Sequence, residues 1–114
     1  MNNISDVYDI EKAISLAGGN RKLAIELITM LIAQLPVQKF EITESINNDD
    51  MVSLKQHIHK LYGSCQCCAT PALMNITREL ENIIENNLVN KFESAKTELL
   101  IEIDRVVRLD TTIL

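Results

Sequence analysis

A chain of 114 residues with a formal net charge of −5 is long enough for one domain, 1–114, and 46% hydrophobic with 24% charged residues is an ordinary globular composition. Three Gly, two Pro, two Tyr, two Phe and no Trp exclude a β-sandwich or barrel, which needs a turn about every 8–12 residues, and a phosphate loop built on glycines at fixed spacing. Sixteen Asp+Glu against eleven Lys+Arg exclude a nucleic-acid binder, because neutralising phosphates needs a basic surface.

From the N-terminus, Met1-Asn2-Asn3-Ile4-Ser5-Asp6 carries no basic and no apolar leader region, so no signal peptide is expected. Residues 7–17 read as a first short helix, with Ile10, Ile14 and Ala17 on one face. Gly18-Gly19 stops it by taking positive φ without steric cost, and Asn20 is placed to cap the next helix. Ala24, Leu27, Ile28, Leu31, Leu35, Ile42 and Ile46 form the next stripe. The stripe keeps its phase across Pro36, which predicts one long helix, kinked at the proline and ending near Asn47. No apolar run approaches the roughly 20 residues needed to span a bilayer.

Asn48-Asp49-Asp50 is the following turn, with Asp50 a cap for the helix from 51 to about 68, whose stripe is Leu54, Ile58, Leu61 and Cys65. Thr70-Pro71 opens a helix carrying Leu73, Ile76, Leu80, Ile83, Ile84 and Leu88, since proline suits the first turn. Asn90 ends that helix or caps the last, whose stripe is Phe92, Ala95, Leu99, Ile103, Val106 and Val107. The fold class is all-α: an antiparallel four-helix bundle core with one or two additional short helices.

Chemistry concentrates on the 51–68 segment, which holds both histidines. With Leu54 at zero and a step of about 100° per residue, Ile58, Leu61 and Cys65 fall within roughly 40° of it and form the buried face. His57 falls at about −60°, on the margin of that face, as a partly buried, hydrogen-bonded histidine. His59 falls at about 140°, towards solvent, with Gly63 one turn on at about 180°. A mid-helix glycine costs about 0.5–1 kcal/mol relative to alanine, so either something approaches His59 closely or Gly63 marks a helix–helix contact. An exposed imidazole titrating near neutrality is a nucleophile for phosphorus, or simply a surface side chain. Cys65, Cys67 and Cys68 crowd four positions and diverge around one helix, which suits neither a disulfide framework nor a metal site; free thiols point to a reducing cytoplasm. Gln38, on the apolar stripe, either hydrogen-bonds into the bundle or is a polar side chain at the kink.

His59-Lys60-Leu61-Tyr62-Gly63-Ser64-Cys65 resembles the signature of histidine-containing phosphotransfer (HPt) domains: His, any residue, a Leu-like residue, Lys, Gly and two small residues. Gly18-Gly19, Leu35-Pro36, the Asn/Asp turn and Leu80-Glu81 extend the likeness along most of the chain. The run, followed by Thr70-Pro71, is most similar to the C-terminal HPt domains of BarA/GacS/LetS-type hybrid sensor kinases. There are two departures. Tyr62 stands where the family has its lysine, and Ala69 where it usually has a glycine.

The resemblance implies a phosphocarrier in a multistep relay, not an enzyme with an ATP site. His59 would accept a phosphoryl group on Nε2 from a receiver-domain aspartate and pass it to the aspartate of a response regulator. The lysine's role would move to Lys55, one turn before His59, or to the adjacent Lys60. Glu81 would hydrogen-bond His59, or be a solvated helix charge. No cofactor or metal is expected on this chain, the magnesium belonging to the receiver. The expected setting is cytoplasmic, as a monomer without nucleic-acid or direct membrane contact, within a parent kinase anchored in the inner membrane. The competing readings are a helical adaptor, and a pseudo-HPt domain that binds receivers without being phosphorylated.

Overall fold

The computed structural model describes residues 4–114, so Met1, Asn2 and Asn3 of the leader-free stretch lie outside it. The described residues form six α-helices and a terminal turn: α1 (Ile4–Val7), α2 (Ile10–Leu16), α3 (Arg21–Asn47), α4 (Met51–Cys68), α5 (Pro71–Glu85), α6 (Val89–Val107) and a 3₁₀ turn, Thr111–Ile113. Helices α3 to α6 form the antiparallel bundle. Each packs on the next, and α6 closes back onto α3, while α1 lies on α5 and α6, and α2 on α3 and α4.

The core is the union of the stripes. Ile28, Leu35 and Ile42 of α3, Leu54, Ile58 and Leu61 of α4, Leu73 and Leu80 of α5, and Leu99 and Ile103 of α6 are all fully buried. Each such side chain contributes about 1.5–3 kcal/mol by leaving water. This burial, rather than propensity, keeps the long helices formed.

Local signals set most of the ends. Gly18 and Gly19 take φ of 69° and 86°, and the Gly19 N–H reaches back to the Ile14 carbonyl at 2.8 Å. Asn20 accepts from the Leu23 N–H at 3.0 Å, and Asp50 from the Ser53 N–H at 3.1 Å, capping α3 and α4. Pro36 does not divide α3. It lies on the exposed side, next to fully buried Leu35.

Three expectations need correction. The single helix over 7–17 is two, because Asp9 leaves the helical region (φ −101°, ψ 94°) to accept from the Lys12 N–H at 3.1 Å, while its own N–H binds the Ala69 carbonyl at 2.9 Å. Asn90 neither ends α5 nor caps α6; it lies inside α6. The left-handed residue of that turn is Asn87 (φ 52°), a residue type that tolerates this region, and the Leu88 N–H returns to the Ile83 carbonyl at 3.0 Å. Lastly, α3 is long and apolar enough to cross a membrane. Thr29, Gln34, Pro36 and Gln38 interrupt its apolar run, but residues 23–40 hold only Glu26 and Lys39 as charges. Its Ala24, Ile28, Leu31 and Leu35 are buried in this bundle.

Candidate functional site

Helix α4 presents its chemistry as the helical spacing dictates. Leu54, Ile58, Leu61 and Cys65 are fully buried, which turns His59 outward; its side chain is 77% exposed. His57 is half-buried as expected, but its side chain makes no hydrogen bond among the described residues; it lies near Asp50 at the helix start. Gly63 is exposed, and a Cβ built there meets nothing within 4 Å. No packing inside the domain requires this glycine, so it is not a helix–helix contact.

The antiparallel pairing of α4 with α5 builds a ladder of polar contacts around His59. His59 Nδ1 lies 2.8 Å from Glu81 Oε2. Three residues further along α4, the Tyr62 hydroxyl accepts from Arg78 Nε at 3.2 Å and Nη2 at 3.0 Å, and the Arg78 guanidinium sits 5.5 Å from the centre of the Tyr62 ring. Four residues before His59, Lys55 Nζ is 3.4 Å from Glu85 Oε1. Lys60 is exposed and forms no ion pair among the described residues. The structure thus brings His59, Tyr62, Lys55 and Glu81 onto one seam, and Lys60 off it.

Arg78 and Glu85 were missed from sequence. A signal for them existed: once Glu81 is set opposite His59 in antiparallel helices, each step forward on α4 is a step back on α5. That rule places Arg78 opposite Tyr62 and Glu85 opposite Lys55.

The Glu81 contact selects a tautomer. An ionised carboxylate only accepts hydrogen bonds, so Nδ1 of His59 carries the proton and donates. Neutral imidazole then keeps its lone pair on Nε2, the nitrogen not engaged by Glu81. Glu81 is only 22% exposed at its side chain, which anchors it against α4 better than a wholly solvated carboxylate would be.

Gln38 is buried with Oε1 lacking a hydrogen-bond partner, so the expected contact into the bundle is not made by that atom. The three thiols serve different surroundings. Burial pushes Cys65 up to about 12 and Cys68 to about 11. Cys68 donates to the Leu27 carbonyl across 3.6 Å, and Cys67 is exposed. Among the described residues no three His, Cys, Asp or Glu side chains converge as a metal site.

The family model described as "Hpt domain" matches residues 26–109, which takes in the whole of α4 and α5 and the seam between them. The chain belongs to the Hpt domain family. This Hpt domain is 31% identical over 81 residues to the sensor protein GacS of Pseudomonas syringae pv. syringae, covering 71% of the chain and 9% of GacS. It is 29% identical over 113 residues to the signal transduction histidine-protein kinase BarA of Escherichia coli (strain K12), covering 98% of the chain and 12% of BarA. The chain thus spans about a tenth of the length of these curated relatives. The fold matches the HPT domain of a sensor hybrid histidine kinase from Shewanella, with a TM-score of 0.82 and 24% identity over 92% of this chain and 90% of that one. An Hpt domain is a phosphocarrier of a phosphorelay and works with receiver domains.

Proposed function

We propose that His59 is the phosphoacceptor of this Hpt domain, taking a phosphoryl group from a receiver-domain aspartate and passing it to the aspartate of a response regulator. The observation that carries this reading is the pairing of a 77% exposed imidazole with a carboxylate 2.8 Å from its Nδ1, beside a glycine with no neighbour over its Cβ position.

In the forward step the Nε2 lone pair attacks phosphorus. The N–P bond forms as the bond from phosphorus to the aspartate oxygen breaks, and that electron pair leaves on the carboxylate. The ring becomes cationic while keeping its Nδ1 proton, and Glu81 accepts from that N–H and offsets the charge. No proton has to move, so the step reverses readily onto a second receiver. Transfer of this kind depends on positioning and electrostatics. The bare backbone at Gly63 leaves room for the receiver's approach, and the magnesium of the reaction sits in the receiver. The domain acts as a monomer on the cytoplasmic side of a longer kinase.

Incubation with a phosphorylated receiver domain tests the reading. The expected product is an acid-labile, base-stable phosphoprotein, formed by the wild type and His57→Gln and abolished by His59→Gln. Transfer that survives His59→Gln would overturn the site. Receiver binding without transfer would favour a pseudo-Hpt adaptor, a reading that rests on Tyr62 in the lysine's place.

A further inference from the structure

A phosphoryl group on Nε2 of His59 brings up to two negative charges to a seam that already holds Glu81 and Glu85. Like charges this close repel unless a cation offsets them. Two cations stand on the seam. Lys55 is engaged with Glu85 at 3.4 Å. Among the described residues Arg78 forms no ion pair; its partner there is Tyr62, whose hydroxyl accepts from Nε and Nη2 and whose ring centre is 5.5 Å from the guanidinium carbon. Arg78 is exposed, and its Nη1 makes no hydrogen bond among the described residues. The edge formed by Nη1 and the second Nη2 hydrogen is the one that takes two oxygens of a phosphoryl group in parallel.

We infer that Arg78, steadied by Tyr62, is the cation that contacts the phosphoryl group on His59, in place of the lysine lost at Tyr62. The inference rests on His59 being the phosphoacceptor. Tyr62 is three residues after His59 on α4, and Arg78 three before Glu81 on α5, so the guanidinium stands within one turn of the acceptor on both helices. The contact forms as charge builds on the transferred group, and Arg78 is then a catalytic residue while Tyr62 is a positioning residue.

The test loads the domain with phosphoramidate, a small-molecule histidine phosphorylating agent, and follows transfer from the phosphodomain to a receiver. Arg78→Gln, which keeps length and a hydrogen-bonding end without the charge, is expected to slow transfer about tenfold, the scale of one charge-assisted contact, with unchanged helix content in circular dichroism. Adding Tyr62→Lys to Arg78→Gln is expected to restore the rate, since the charge returns from the other helix. Tyr62→Phe, which loses the hydroxyl but keeps the ring, is expected to fall between. Transfer by Arg78→Gln at the wild-type rate would overturn the inference, as would a slow rate that Tyr62→Lys does not restore. A wild-type domain that neither loads at His59 nor transfers would overturn the phosphoacceptor reading instead, so the two failures are distinct.

Discussion

As the proposed phosphoacceptor, His59 has to be reachable and held at once, and its neighbours divide those tasks. The buried face of α4 turns it outward, Glu81 fixes its ring through Nδ1, and Gly63 removes the side chain that would stand over it. Gly63 is the sharpest test of this arrangement, because nothing inside the domain needs a glycine there. Gly63→Ala should stabilise the domain by about 0.5–1 kcal/mol, the helix-interior difference between the two residues, as measured by urea unfolding. Gly63→Leu should leave helix content in circular dichroism nearly unchanged yet block receiver docking. Phosphotransfer by Gly63→Leu at the wild-type rate would remove the case for a cleared approach.

At the scale of helices, the ends carry more information than the interiors. Ala69 closes α4 with φ 53° and ψ 56°, a left-handed conformation that costs a Cβ-bearing residue about 1–2 kcal/mol. The glycine that the family usually has there therefore has a structural reason: the chain must reverse into Thr70-Pro71, and the Ala69 carbonyl must reach the Asp9 N–H. Ala69→Gly should raise stability by about 0.5–1 kcal/mol, part of the relief being offset by the greater freedom of glycine when unfolded. The start of α4 is set by charge. Hydrogen bonds from the side chain and backbone of Ser53 hold the Asp50 carboxyl below its ordinary value of 3.8. A depressed folded pKa stabilises the fold fully above the unfolded value, and that contribution drains as pH falls through the lower folded pKa. Stability should therefore decline on the acid side of about pH 4. Asp50→Asn, which still caps but does not titrate, should flatten that part of a plot of Tm against pH.

For the whole molecule, core and site lie on opposite faces of the same helices, so stability and chemistry should separate. Leu99 is fully buried on α6, which contributes none of the polar side chains of the α4–α5 seam. Leu99→Ala should cost about 2–5 kcal/mol, a large share of the roughly 5–15 kcal/mol that holds a domain of this size. Transfer per folded molecule at low temperature should nevertheless match the wild type. A loss of transfer well beyond the unfolded fraction would mean that the bundle's packing tunes the site.

Much of this protein was legible in the order of its residues. The four stripes, the double-glycine stop, the caps at Asn20 and Asp50 and the outward aim of His59 all depend on partners within one helical turn, and the seven-residue run at His59 carries the family likeness. The break at Asp9 escaped because its N–H is satisfied by Ala69, sixty positions away in the chain. Three asparagines near that turn, Asn86, Asn87 and Asn90, can each serve, and the one that turns left-handed is Asn87, after which the Leu88 N–H closes on the Ile83 carbonyl. Tertiary structure alone decided what faces His59. The register of α5 against α4 set Glu81 on Nδ1, drew Lys55 to Glu85, and laid Arg78 over Tyr62. Helical periodicity says which way a side chain points, but the side chain it meets on another helix depends on how two buried faces settle against each other.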